Sequence, residues 1–131
     1  MTGRVWLDKK KKRAMQMLFI EYPKCTTCQK AKKWLDDHGL AYTDRHIKEE
    51  NPTYEELDAW SRDLPLKKFF NTSGLLYKSM GLKEKLSTMS REEQLRLLAS
   101  DGMLVKRPLI VGDDLVLTGF REAEWEEKLL K

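Results

Sequence analysis

The sequence predicts an α/β domain of order β-α-β, then helices, then β-β-α. Three observations carry this expectation. An apolar run, Met17-Leu18-Phe19-Ile20-Glu21-Tyr22, is closed by Pro23 and followed by a helix-forming segment that stops at Gly39. Two capping boxes, Thr53-Tyr54-Glu55-Glu56 and Ser90-Arg91-Glu92-Glu93, lie in the middle of the chain. Two apolar triplets flank Gly112-Asp113-Asp114 near its end. The chain has 131 residues, enough for one core without disulfides or metals.

Each element follows from its residues. Met17 to Tyr22 reads as a short buried strand. Gln29 to His38 is rich in helix formers and ends at a C′ glycine, with Ala31, Trp34, Leu35 and Cys28 spaced to share one face. Leu40 to Ile47 reads as a second strand with Leu40 and Tyr42 on alternate positions, which completes a βαβ unit and favours parallel strands. The Thr53 box opens a helix through Leu57 and Trp60 that Pro65 breaks. Short helices are expected at Leu66–Phe70 and at Leu75–Met80, the latter stopped by Gly81. The Ser90 box opens a helix that runs to Gly102. Leu109-Ile110-Val111 and Leu115-Val116-Leu117 read as an antiparallel hairpin, and Arg121 to Leu130 as a closing helix. This is the order of a thioredoxin-like fold with a helical insertion at about 51–102, residues 15–131 forming a single domain. Residues 1–14 are set apart as a disordered or appended arm.

Composition narrows the function. With 40% apolar and 35% charged residues the chain has the balance of a soluble globular protein. No apolar run approaches the roughly 20 residues of a membrane span. The Lys-rich start lacks the apolar stretch of a secretion signal, so a cytoplasmic location is expected. Net charge is +4, but residues 1–15 supply +5 and the remaining 116 residues sum to −1. A near-neutral body argues against direct nucleic-acid binding, which calls for a basic face along phosphates.

The two cysteines, Cys25-Thr26-Thr27-Cys28, stand where the first strand gives way to the first helix. Unpaired N–H groups and the helix dipole favour a thiolate there, lowering a thiol pKa from about 8.5 towards or below 7. Lys24 and Lys30 add positive potential. Cys25 is thus a candidate nucleophile and Cys28 a candidate resolving thiol. Two other readings stand beside this one. The spacing is half of a zinc site, but the chain's two histidines, His38 and His46, are badly placed: His38 is ten residues along the helix from Cys28, roughly 15 Å. Alternatively the pair is buried and inert. No metal and no cofactor is expected. Arg107-Pro108 is the second candidate: in this fold a proline before the third strand packs in the cis form against the cysteines, and Arg107 points a permanent charge at a thiolate or bound anion. Otherwise Arg107 is a solvated arginine at a strand start. Asn71-Thr72-Ser73-Gly74 reads either as a helix cap and turn, or with Asn71 or Ser73 as hydrogen-bond donors beside the cysteine loop.

These residues resemble the ArsC/Spx group of arsenate-reductase-like thioredoxin-fold proteins, in particular its Spx/MgsR-type branch. The resemblance covers Met17 to about Leu130 and rests on four motifs in order: Tyr22-Pro23-Lys24-Cys25-Thr26-Thr27-Cys28-Gln29-Lys30-Ala31, Lys67-Lys68-Phe69-Phe70-Asn71-Thr72-Ser73-Gly74, Asp101-Gly102-Met103-Leu104-Val105-Lys106-Arg107-Pro108 and Val116-Leu117-Thr118-Gly119-Phe120. The resemblance implies that Cys25 is the reactive cysteine and that Arg107 contacts an oxyanion, with Lys24, Asn71, Ser73 and Pro108 around the substrate. Two features depart from the arsenate-reducing members: Asn71 and Gly119 stand where those place further arginines, and Cys28 is a second cysteine they commonly lack. Loss of two cations weakens the hold on a doubly charged oxyanion, since charge-assisted hydrogen bonds are about twice as strong as neutral ones. Three functions follow as expectations. The first is a monomeric thiol–disulfide oxidoreductase that takes electrons from small thiols, glutaredoxin or thioredoxin. The second is an Spx-like redox regulator that binds the RNA polymerase α subunit. The third is a glutaredoxin-dependent arsenate reductase.

Overall fold

The computed structural model describes residues 17–130; the arm expected at 1–14 lies outside the described residues. The elements are β1 (Leu18–Glu21), α1 (Thr26–Asp37), β2 (Thr43–His46), α2 (Tyr54–Trp60), a 3-10 turn (Leu66–Phe69), α3 (Leu75–Ser79), α4 (Leu82–Lys85), a second 3-10 turn (Leu86–Thr88), α5 (Arg91–Ser100), a third (Gly102–Leu104), β3 (Leu109–Val111), β4 (Val116–Thr118) and α6 (Glu122–Leu130). The four strands form one sheet in the order β2-β1-β3-β4, with β1–β3 and β3–β4 antiparallel. The α/β, thioredoxin-like order read from the sequence is therefore the observed one. The chain divides into two compact units, one containing residues up to Asp44 and from Arg107 on, the other Arg45–Lys106.

The first unit is built on a row of side chains across three strands. Register pairs Phe19 with Ile110 and Ile110 with Leu117, so all three share one sheet face. Ala31, Trp34 and Leu35 of α1 and Trp125 of α6 pack onto that face, with Leu40, Tyr42, Phe120 and Leu129 at its edge. Trp34, Phe120 and Trp125 meet edge to face, with ring centroids 4.7–6.3 Å apart. Such pairs add about 0.5–1.5 kcal/mol each beyond the area they bury. Helix α1 ends in a Schellman motif: Gly39 N–H donates to the Asp36 carbonyl and Leu40 N–H to the Leu35 carbonyl, both at 3.1 Å.

The second unit carries most of the short helices. Both capping boxes are formed, with Thr53 and Ser90 accepting from Glu56 N–H and Glu93 N–H at 3.1 Å and both glutamates reaching back to the cap amides. Leu57, Leu95 and Leu98 are buried from α2 and α5. Arg45 grips Glu56 with two hydrogen bonds of 2.7 and 2.9 Å and also donates to the Glu50 and Asn51 carbonyls. Gly102 stands so close to this turn that an added Cβ would run into the Ile47 carbonyl oxygen and lie 2.8 Å from Asn51 Oδ1.

Several expectations are corrected. The second strand starts at Thr43 rather than Leu40; Leu40 and Tyr42 keep their alternate spacing and pack against the first unit's core ahead of it. Gly81 does not simply stop a helix: its left-handed φ of 65° turns the chain into α4 and a 3-10 turn. Leu66–Phe69 is a 3-10 turn, and β4 lies one residue later than expected. The helical insertion expected at about 51–102 falls inside the longer unit Arg45–Lys106.

Candidate functional site

Cys25 sits at the N-cap of α1 in extended conformation, and its Sγ accepts the Cys28 N–H at 3.4 Å. At most helix starts a serine, threonine, aspartate or asparagine oxygen fills this role; in α1 a sulfur fills it. The arrangement follows from the preceding segment: the strand ends at Glu21, Cys25 N–H donates to the Tyr22 carbonyl at 2.9 Å, and Gln29 Nε2 donates to the Pro23 carbonyl at 2.9 Å. The turn between strand and helix is thus closed by hydrogen bonds on both sides of Pro23.

The two sulfurs have different surroundings. Cys25 is half-buried, while Cys28, one turn into the helix, is fully buried. Burial pushes the Cys28 thiol up to about 12; the neighbouring Cys25 adds to this, and a Tyr22 backbone hydrogen bond and the Arg107 charge oppose it. The pair is asymmetric: one sulfur is reachable and faces an amide, and the other is held as a thiol.

Arg107 and Pro108 belong to the same unit as the cysteines, and the peptide bond between them is cis, as expected. The Arg107 guanidinium carbon lies 5.4 Å from the centre of the Tyr22 ring, within cation–π range. Gly119 N–H donates to the Pro108 carbonyl at 2.8 Å, and the Gly119 carbonyl accepts from Trp125 Nε1 at 3.2 Å. Gly119 has φ +76°, a conformation that an arginine at this position would adopt only with strain. Lys24 is exposed beside Cys25.

Asn71 and Ser73 belong to the second unit. Neither caps a helix with its side chain: the N-cap of α3 is Gly74, whose N–H donates to the Asn71 carbonyl at 3.1 Å, and Asn71 N–H donates to the Leu104 carbonyl at 2.8 Å. The stretch is the helix cap and turn expected of it, with Gly74 as the cap residue and a backbone hydrogen bond closing the turn. Ser73 is exposed and Asn71 half-buried.

Two residues near the cysteines escaped the sequence reading as candidates. Tyr22 contacts the cysteine loop through its backbone and Arg107 through its ring. Glu21 is 4% exposed on the core side of β1, with Lys32 Nζ 3.3 Å from its Oε2 and 2.6 Å from Asp44 Oδ2. The Lys32 contact lacks hydrogen-bond geometry, and Glu21 Oε2 is buried without a hydrogen-bond partner. The signal for Glu21 was available: it lies two positions after Phe19, on the inward register of an otherwise apolar strand.

Among the described residues, no group of three or more His, Cys, Asp or Glu is placed to hold a metal ion. His46 Nδ1 accepts from the Lys48 and Glu49 amides at 3.1 and 3.2 Å, and His38 Nδ1 lies 2.8 Å from the Trp34 carbonyl. No helix among the described residues is long and apolar enough to cross a membrane.

With the geometry in place, comparison with known proteins bears on kinship. The chain is 55% identical over 115 residues to YusI of Bacillus subtilis (strain 168), described as uncharacterised, over 86% of this chain and 98% of that one. It is 31% identical to the regulatory protein MgsR of the same organism, over 83% of this chain and 86% of that one. A crystal structure of an ArsC-family-related protein from Bacteroides fragilis superposes with a TM-score of 0.83 at 57% identity, covering 87% of this chain and 98% of its own. The ArsC family model matches residues 20–128, and the chain belongs to the ArsC family of arsenate-reductase-like proteins.

Proposed function

We propose that this protein is a thiol–disulfide redox protein in which Cys25 is the nucleophile and Cys28 the resolving thiol. The observation that carries the reading is the asymmetry of the pair: a reachable sulfur capping a helix beside a buried one held protonated. The Cys25 thiolate attacks one sulfur of a disulfide R–S–S–R; the S–S bond breaks and RS⁻ leaves with the electron pair. With Cys25 tied up in the mixed disulfide, its charge no longer opposes ionisation of Cys28. The Cys28 thiol then gives up its proton and attacks Cys25 Sγ, and the second RS⁻ leaves. The protein pair is oxidised by two electrons and the substrate is reduced to two thiolates. Small thiols, glutaredoxin or thioredoxin restore the dithiol, in a cytoplasm that keeps thiols reduced. Arg107 supplies the site's cation, while Lys24 and Pro108 are assigned to substrate contact.

Intact-mass analysis after exposure to hydroxyethyl disulfide tests this reading. Wild type forms the internal disulfide, Cys28→Ser stops at a stable mixed disulfide on Cys25, and Cys25→Ser does not react. Retention of full reactivity by Cys25→Ser overturns the assignment.

The likeness to a regulatory protein, MgsR, supports a second reading in which the same pair is a switch controlling a partner such as the RNA polymerase α subunit. A pull-down with that subunit in reducing and oxidising buffer separates the two. Arsenate reduction is the weakest of the readings. The second cysteine and the glycine at 119, with its left-handed backbone, both suit disulfide chemistry better than a site built to enclose a dianion with several arginines.

A further inference from the structure

Residues 22–35 carry the cysteine pair, four lysines and no acid. The lysines fall into two classes. Lys32 Nζ lies 2.6 Å from Asp44 Oδ2 and 3.3 Å from Glu21 Oε2, and Lys33 Nζ lies 2.7 Å from Asp37 Oδ2. Both stand a turn or more beyond Cys28 on α1. Lys24 and Lys30, which flank the pair, are exposed and form no ion pair among the described residues. The nearest acids in sequence are already engaged or buried. Glu21 is buried beside Lys32, Asp36 accepts from the Tyr42 hydroxyl and Asp37 pairs with Lys33. Asp36 and Asp37 also lie at the far end of the helix, roughly 15 Å along its axis from Cys25. Positive charge that is cancelled along the rest of α1 is therefore left open around the reachable sulfur.

The rim between the two lysines is uncharged: Thr26, Thr27 and Gln29 are exposed. Lys30 stands one turn above Thr26 on the same face, about 6 Å along the axis. One exposed lysine in water attracts a small anion weakly. Two on an open rim act together on a partner that carries several acids, chiefly by raising the rate of encounter. A polypeptide with acids on both sides of its cysteine meets that condition, whereas a nucleic acid brings charge but no sulfur to exchange.

We propose that the surface around Cys25 docks an acidic polypeptide segment carrying the disulfide to be exchanged, with Lys24 and Lys30 as its two anchors. The inference rests on the redox reading above and names its substrate class. The chemistry is the exchange already written: one partner sulfur bonds to Cys25 as the other leaves as RS⁻, and Cys28 then closes the internal disulfide and releases the second.

The test uses the full chain and three short peptides, each holding one cysteine as a disulfide with mercaptoethanol and flanked on both sides by glutamate, glutamine or lysine. Each rate of peptide thiol release is divided by that of a small neutral thiol with the same peptide, which removes the peptides' intrinsic differences. Wild type is expected to favour the glutamate peptide over the glutamine peptide by about three- to tenfold at low salt and to disfavour the lysine peptide. Raising the salt to about 0.3 M is expected to shrink the ratio below about twofold. Lys24→Gln and Lys30→Gln are each expected to lose about twofold of it, and the double variant most of it. Lys33→Gln, which removes a lysine already paired with Asp37, keeps it. Each ratio compares two peptides on one variant, so any effect of a lysine on Cys25 itself cancels. Equal normalised rates in wild type, an unchanged ratio in the double variant, or an equal loss in Lys33→Gln would each overturn the proposal while leaving the redox reading intact. So would a preference for dithiodipropionate over hydroxyethyl disulfide as large as that between the two peptides, since a small anion would then suffice. Failure of wild type to react with any peptide or with hydroxyethyl disulfide would remove both.

Discussion

Glu21→Gln is the most informative single substitution for the stability of the first unit. The Glu21 carboxyl is pushed up from 4.5 to about 7, chiefly by burial and then by a hydrogen bond to Asp44 and that residue's charge, with Lys32 opposing. Lys32 approaches from α1 and Asp44 from β2. Below about pH 4.5 folded and unfolded chains both hold the proton, and the group contributes nothing to the pH dependence. Between about 4.5 and 7 the folded chain keeps a proton that the unfolded chain has released, so stability falls as pH rises. The shift corresponds to a loss of about 3 kcal/mol that is complete above pH 7. Glutamine has the same shape, cannot ionise, and offers Asp44 an N–H donor in place of the acid proton. Urea unfolding at pH 5, 6, 7 and 8 reads the difference between wild type and variant, which cancels the other titrating groups. The variant is expected to lie within about 1 kcal/mol of wild type near pH 5 and to exceed it by about 3 kcal/mol at pH 8. A difference that stays constant across this range would refute the argument, since it would show that Glu21 binds its proton equally in the folded and unfolded chains.

Two further substitutions probe the second unit. Glu56 is held below its ordinary carboxylate range by the Arg45 hydrogen bonds, so its contribution is present above about pH 4.5 and fades as the solution becomes more acidic. Glu56→Gln is expected to lower stability by about 1–2 kcal/mol at pH 7, with the gap to wild type closing below about pH 4 in the same urea assay. Gly102→Ala drives a methyl group into the Ile47 carbonyl and the Asn51 amide, backbone and side chain that Arg45 and the Ala99 carbonyl hold in place. A loss of about 1–3 kcal/mol is expected, seen as a lower Tm in calorimetry, and a neutral result would mean that this turn yields easily.

The local features of the fold were legible because they are written in short-range chemistry. The capping boxes at Thr53 and Ser90, the glycine stop at Gly39 and the position of Cys25 at a helix start each depend on residues within one turn of one another. What depends on a partner far along the chain was not legible. Leu40 and Tyr42 have the alternation of strand residues and pack against Phe19 and its neighbours, yet the strand begins only at Thr43, a boundary that the alternation does not mark. The chain restarts as α4 after Gly81 because a left-handed glycine can redirect a helix as well as end it, and the residue type alone does not distinguish the two. The same division holds for the site. The cysteine pair stood out by its spacing, and the Arg107-Pro108 dipeptide by its place before the third strand of the expected fold. Tyr22 was legible as the end of a strand and the start of the cysteine motif, but its ring contact is with an arginine that the later part of the chain delivers. Glu21 was visible as an acid on an inward register, yet the lysine and aspartate beside it come from a helix and a strand that only the folded unit brings together.

Because the first unit takes its parts from both sides of Arg45–Lys106, the sulfurs leave the ribosome long before the guanidinium and the cis-proline that complete their surroundings. During that interval the dithiol exists as an ordinary exposed peptide segment, open to whatever oxidants the growing chain meets. Any fragment that ends before Arg107 therefore carries both cysteines without the arginine and the proline that the folded first unit brings to them.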